Sequence, residues 1–261
     1  MNILDKIVAG KRLEVARLPP RQVTPAAIRA ARREPRDFIG ALQRPKPGPP
    51  ALIAEVKKAS PSAGIIRADF DPVRIAREYE AAGAACLSVL TDEAFFQGSL
   101  EDLRRIRAAV ALPLLRKDFI IDERQILESV ENGADAILLI VRILTGELLG
   151  RFHSLAVEAG LAALVEVHDQ GELERALAVD AALIGINNRN LDNFTVDLET
   201  TARLAAKAAR KFIVAESGLH TRADVQRVRL AGAGAILVGE SLLRHPGGIA
   251  AKIAELLVIN P

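Results

Sequence analysis

The chain has 261 residues, a formal net charge of +2, 50% hydrophobic residues and only 3% aromatics. That suffices for one large domain or two small ones around an aliphatic core, and the even mixing of Lys and Arg with Asp and Glu argues against a nucleic-acid partner. No apolar run reaches the roughly 18 residues of a membrane helix, MNILDKIVAGKRLEVARL mixes too many charges for a signal peptide, and the lone Cys86 excludes an intrachain disulfide framework. A cytoplasmic protein without a membrane partner is expected.

In chain order, residues 2–17 read as a helix and AAIRAARR (26–33) as another, with LPP and QRPKPGPP (43–50) as turn or polyproline punctuation. Residues 1–50 thus form a helical extension, which either plugs one end of the following domain or helps to close its active site. From residue 51 onward, eight aliphatic runs alternate with amphipathic stretches: 51–57, 85–91, 113–119, 136–141, 162–167, 182–187, 212–217 and 235–241. The intervening DPVRIAREYEAAGA has helical spacing at Val73, Ala76, Tyr79 and Glu80. Gly-Ala pairs at 83–84, 133–134 and 232–233 mark helix ends before a run. Near-continuous apolar strands imply burial on both faces, hence a parallel sheet with helical crossovers. Eight βα units over residues 51–261 predict an α/β fold, a (β/α)8 TIM barrel with an N-terminal helical extension. A doubly wound sheet would show a Gly-rich phosphate loop after its first strand, and none is present.

In ALIAEVKKASPS (51–62), Ile53, Glu55 and Lys57 share one side of an extended chain. Chemistry in such barrels sits at the C-terminal strand ends. There the runs place Glu55 with Lys57, Lys117, Glu166, Asn187 with Arg189, and Glu216. One such charge is a strand capped at the surface; five strands ending this way describe a pocket. The chain has nine lysines against 26 arginines, and Lys117 is the only lysine between positions 59 and 206. Lysine can release its proton when desolvated and so serve as an acid or base, with a nearby carboxylate such as Glu55 tuning Lys57. Gly218 in ESGLHT and Gly239 in VGESLL follow the last two runs, where backbone N–H groups commonly hold phosphate. His153, His168, His220 and His245 lack metal-ligand spacing, so no metal is expected.

IAEVKKASPSAG (53–64), LTDEAFFQGS (90–99), LLRKDFIID (114–122), LVEVHD (164–169), IGINNRNL (184–191), VAESGL (214–219) and LVGESLL (237–243) occur in this order. Together they resemble the indole-3-glycerol-phosphate synthase family of tryptophan biosynthesis, over nearly the whole chain. Ala63, where the family commonly carries Lys, and Asn190, in place of Asp, depart from the pattern; the first bears on charge and mobility in the loop after the first strand.

The resemblance implies a carboxy-lyase that needs no cofactor. It would convert 1-(2-carboxyphenylamino)-1-deoxyribulose 5-phosphate to indole-3-glycerol phosphate, CO2 and water. Lys117 would protonate the carbonyl oxygen as the ring carbon attacks. Lys57 would pair with the substrate carboxylate and act as a second acid, Glu166 would stabilise cationic intermediates, and Glu55 would orient a lysine or act as base. Asn187, Arg189, Glu216 and Ser217 would position polar groups, and Ser60 would close over the phosphate with the loop after the first strand. Phe96, Phe119, Leu138 and Leu191 would wall the aromatic ring, and Gly218, Gly239 and Glu240 would hold the phosphate. The expected partner is a small phosphorylated substrate met by a monomer, other enzymes of the tryptophan pathway being open as partners. Two rivals stay open: a related sugar-phosphate isomerase of the phosphoribosyl-anthranilate isomerase type, and a non-catalytic phosphate-binding scaffold.

Overall fold

The eight aliphatic runs form eight strands with apolar side chains on both faces; the closed parallel sheet buries one face in its lumen and the other under a jacket of helices. A computed structural model of the chain describes residues 2–43, 48–191, 193–208 and 210–257. The barrel strands are β1 (Ala51–Val56), β2 (Cys86–Leu90), β3 (Leu114–Lys117), β4 (Ala136–Ile140), β5 (Ala162–Val167), β6 (Leu183–Asn187), β7 (Phe212–Glu216) and β8 (Ala235–Val238). Each pairs in parallel with its sequence neighbours, and β8 closes the ring on β1, with Ala51 beside Ala235 and Ile53 beside Leu237. The fold is the (β/α)8 barrel expected.

The two faces of β1 divide as the alternation requires. Leu52, Ala54 and Val56 pack outward against the helices, while Ile53 points into the lumen with Cys86, Leu115, Ala136, Leu138, Leu164, Leu183, Val214, Ala235 and Leu237. These aliphatic layers fill the lower barrel and leave the next residue up each column to line its mouth. The crossover helices begin at capping residues: Asp71 for α4 (Pro72–Ala81), Asp122 for α7 (Glu123–Glu131), Asp169 for α9 (Gln170–Ala178) and Thr221 for α11 (Arg222–Leu230). Each side chain accepts first-turn N–H groups that have no partner within the helix. Gly83 and Gly133 hold φ of +88° and +89°, the left-handed turn that ends a helix and is least strained in glycine.

The helices of the N-terminal extension touch both ends of the barrel. α1 (Ile3–Val15), capped by Asn2, lays Ile3, Leu4 and Ile7 on the cavity at the barrel mouth. α2 (Pro25–Ala31) packs against α7 and α8 (Gly146–Glu158). A third helix, α3 (Phe38–Gln43), lies in a stretch to which the sequence reading assigns no element, and reaches the first residue of the QRPKPGPP punctuation. Its Phe38 and Leu42 join the lumen cluster, and the Phe38 carbonyl accepts the Cys86 thiol at 3.7 Å, beside the first residue of β2. α3 therefore packs at the strand starts and α1 at the strand ends. Residues 44–47 of the QRPKPGPP punctuation lie outside the described residues.

Candidate active site

Every lumen column that ends in a polar group delivers it to one cavity. Glu55, Lys57, Ser60, Phe96, Lys117, Phe119, Leu138, Glu166, Asn187, Arg189, Leu191, Glu216, Ser217, Gly218, Gly239 and Glu240 all line it. These are the sixteen residues singled out in the sequence.

Two lysine–carboxylate groups form its floor. The Lys57 ammonium lies 2.6 Å from Glu55 Oε1. Burial opposes ionisation of Glu55, but Lys57 and then Lys117 prevail and hold its carboxyl below the usual range. Lys117 Nζ stands 3.3 Å from Glu166 Oε2 and 3.7 Å from Glu216 Oε2. Burial disfavours its charge, yet Glu166, Glu216 and Glu55 outweigh that and push its pKa above the ordinary lysine value. Glu166 is 2% exposed. Burial works against its charge too, but Lys117 and His168 keep it well below the usual carboxylate range. Glu216 goes the other way. Burial and the neighbouring Glu166 charge push it up to about 8, so it holds a proton at neutral pH, and its Oε1 is buried with no hydrogen-bond partner.

Two glycines make this crowding feasible. A Cβ on Gly185 would lie 2.1 Å from Glu216 Oε1, and one on Gly239 would lie 2.7 Å from Glu55 Oε1. Gly185 leaves its column empty so that the Glu216 carboxyl can enter it from β7.

The far side is a polar rim. Asn187 Oδ1 accepts from the Ser217 hydroxyl (2.8 Å) and from the Arg189 N–H (3.0 Å), while its amide donates to Glu166 Oε1 (3.3 Å). Those three bonds fix the amide orientation. Ser217 and Gly218 have φ of +66° and +78° in the turn after β7. Gly239 precedes the short helix α12 (Glu240–Leu243), whose amino end no side chain caps. Ser60 belongs to a two-stranded hairpin (Ala59–Ser60 with Gly64–Ile65) over the mouth. In that loop the Ala63 carbonyl accepts Arg244 at 3.0 Å, so the departure at Ala63 removes a side-chain charge but keeps a backbone anchor.

The apolar wall is larger than expected. Phe96 and Phe119 lie with ring centroids 6.1 Å apart, and Ile3, Leu4, Ile7, Leu90 and Phe194 extend the surface they and Leu138 and Leu191 begin. Behind Lys117 runs a buried network missing from the sequence reading. Lys11 of α1 pairs with Asp118 (2.8 Å) and Asp92 (3.2 Å), and Arg116 pairs with Asp118 (3.0 Å) and Glu128 (2.9 Å). Asp92 also caps α5 (Glu93–Phe96), which carries Phe96. One lysine thus ties α1 to both the aromatic wall and the residue after Lys117. The signal that could have found it is the place of Lys11 on the apolar stripe of α1, four residues from both Ile7 and Val15. His168 was passed over as a metal ligand, yet its ring lies 3.3 Å from Glu166. Among the described residues no cluster suits a metal ion, and no helix is long and apolar enough to cross a membrane.

Such a site can donate protons from two ammonium groups, hold a proton on one carboxyl, keep two carboxylates charged and seat a flat apolar ring. Comparison with known proteins agrees with that chemistry. The family model described as indole-3-glycerol phosphate synthase matches residues 4–256. A protein of that name from Polaromonas naphthalenivorans (strain CJ2) is 51% identical over 98% of each chain. One from Burkholderia vietnamiensis (strain G4 / LMG 22486) is 50% identical over 97% of this chain and 98% of its own. One from Acaryochloris marina (strain MBIC 11017) is 51% identical over 94% of this chain and 84% of its own.

Proposed function

The chain belongs to the indole-3-glycerol phosphate synthase family, and we propose that its strand-end cavity closes the indole ring by lysine–glutamate acid–base catalysis. The substrate is 1-(2-carboxyphenylamino)-1-deoxyribulose 5-phosphate. The ring carbon bearing the carboxylate bonds to the C2′ carbonyl carbon, and a proton passes to the carbonyl oxygen. The carboxylate leaves as CO2, its bonding electrons restoring the aromatic ring. The C2′ hydroxyl then leaves as water as a C1′ proton is lost, which gives indole-3-glycerol phosphate.

The observation that carries this reading is the Lys117 ammonium set between Glu166 and Glu216 at the foot of an aromatic-walled cavity. Lys117 donates to the developing C2′ oxygen. Lys57, free to turn from Glu55, pairs with the substrate carboxylate and then serves the dehydration. Glu166 stabilises the cation formed as the ring nitrogen pushes out water, and Glu55 takes the C1′ proton. Glu216, protonated at rest, can return a proton to Lys117. Phe96, Phe119, Leu138 and Leu191 hold the ring face-on, while Gly218, Gly239, Glu240 and Ser60 seat the phosphate and Asn187, Arg189 and Ser217 the sugar hydroxyls. Fixing both ends bends the substrate so that ring carbon and carbonyl meet, which removes the entropic part of the barrier. The enzyme on this reading is a cytoplasmic monomer.

The test uses the lack of tryptophan, with Tyr79 the only phenol. Excitation chosen for indole leaves the protein nearly dark, so turnover reads as a rise in fluorescence. Lys117→Ala is expected to lower kcat by about 10²–10⁴, the span of general acid catalysis, with substrate still binding. Lys117→Arg should lose nearly as much, since arginine keeps the charge but not a transferable proton. Near-normal turnover by Lys117→Ala removes it as the acid.

A further inference from the structure

We propose that His168 is a positioning residue for this reaction: as an imidazolium held by Glu172, it fixes the orientation and the negative charge of Glu166. The proposal rests on the catalytic reading of Glu166 and adds a group that does not reach the substrate.

The geometry is a relay of alternating charge running outward from the cavity. Lys117 of β3 faces one oxygen of Glu166, and His168 Nε2 lies 3.3 Å from the other, Oε1. The opposite ring nitrogen, Nδ1, is 2.9 Å from Glu172 Oε2 of α9, and the same oxygen accepts the His168 backbone N–H at 2.8 Å. Glu172 in turn takes Arg142 at 2.8 Å, and Arg142 also faces Asp169 at 3.6 Å. The His168 side chain is 3% exposed, so water contributes little to either ring nitrogen.

Nδ1 is hydrogen-bonded to Glu172, whereas Nε2 is buried with no hydrogen-bond partner and meets Glu166 as a 3.3 Å ion pair, a contact that is favourable only when the ring carries a charge. Burial opposes that charge, but Glu166 and Glu172 outweigh it and raise the pKa to about 9. Asn187 donates to the same Oε1 of Glu166. With Asn187 alone, this oxygen would keep a neutral donor and lose its cation. Lys117 would then stand as the sole cation on a carboxylate beside the raised Glu216, and Glu166 would hold its own charge less firmly.

The experiment compares wild type with His168→Asn and His168→Gln across pH 6–10.5 by indole fluorescence. Outer-shell partners of metal ligands are worth about 10–100-fold in activity, and by analogy both variants should lose about tenfold in kcat at pH 7 with KM within about twofold. The ratio of wild-type to variant kcat should fall toward one as pH passes about 9, where wild type loses the same cation. The His168 charge also lowers the Glu216 pKa, so the same ratio is measured in a Glu216→Gln background, where that titration is absent. A loss that is independent of pH would mean that the ring merely fills space, and would overturn the proposal.

Two readouts stand apart from those variants. ¹⁵N NMR of the ring in wild type should show both nitrogens protonated at pH 7; a neutral ring refutes the imidazolium. Glu172→Gln should move the ring's titration below pH 9, and an unmoved midpoint refutes the clamp. Glu166→Gln with wild-type kcat would instead sink the catalytic reading of Glu166 while leaving the charge of His168 measurable.

Discussion

Replacing Gly185 with alanine adds one methyl group at mid-strand, and the structure specifies what it strikes. The new Cβ would lie 2.1 Å from Glu216 Oε1, about 1.3 Å short of the 3.4 Å at which ordinary contact begins, while Leu164 Cδ1 at 3.3 Å needs only a slight shift. The β6 backbone is extended, so alanine itself should gain about 0.5–1 kcal/mol over glycine there. Overpacking should cost about 1–3 kcal/mol, leaving a modest net loss of stability. The catalytic cost is larger. Glu216 must shift by more than 1 Å from its present place beside Lys117, and misplacement on the order of 1 Å costs about 10²-fold in rate. Gly185→Ala should therefore lower kcat by about 10² in the indole-fluorescence assay and lower Tm by only a few degrees. In a Glu216→Ala background the same change should cost little more, because the group it displaces is gone. Retention of a third or more of wild-type kcat by Gly185→Ala would refute the reasoning, as would an equal loss in both backgrounds.

Glu216 also shapes stability. Its folded pKa of about 8 lies above the ordinary 4.5, so the native state keeps a proton that the unfolded chain releases. Stability from this source is full below about pH 4.5 and is lost as pH rises through 8. The Tm of Glu216→Gln should therefore gain on wild type between pH 5 and 8; a constant gap would contradict the raised pKa. Lys11→Met leaves buried Asp92 without its cation and Asp118 with Arg116 alone, a change worth about 3–5 kcal/mol. At about 2–4 °C per kcal/mol for a chain of this size, Tm should fall by at least about 6 °C, and an unchanged Tm would show that the buried network contributes nothing.

What could be read from the sequence was whatever strand alternation controls. Once the eight runs are taken as barrel strands, Glu55, Lys117, Glu166, Asn187 and Glu216 must share a lumen face, because each lies an even number of residues above an apolar lumen residue. The residues that were missed depend on meetings between elements far apart in the chain. Lys11 falls on the apolar stripe of α1, four residues from both Ile7 and Val15, which marks it as buried, but nothing local reveals that two carboxylates and α5 enclose it. FIGALQ is too short for a helical period to stand out, and its Phe38 and Leu42 declare themselves only by the lumen they enter. His168 follows Glu166 by two positions, just past the end of β5, and its ring reaches Glu166 without lining the cavity. Seeking metal ligands hid a spacing already used for Glu55 and Lys57. The choice between plugging the barrel and closing the site was undecidable for a related reason: periodicity shows which face of a helix is apolar, not what that face will meet.

The fit of Glu55 against Gly239 has a consequence for partly made protein. Glu55 stands at the end of the first barrel strand and Gly239 just after the last, and their columns become neighbours only through the β1–β8 seam. A chain released before residue 235 has most of the catalytic side chains but no seam to bring its two ends together. β1 then keeps an unpaired edge, and the carboxylate of Glu55 lacks the niche that the glycine leaves for it. The site therefore comes into being as a whole, at the last strand, so that a product of interrupted synthesis is an inactive protein and not a weakened enzyme.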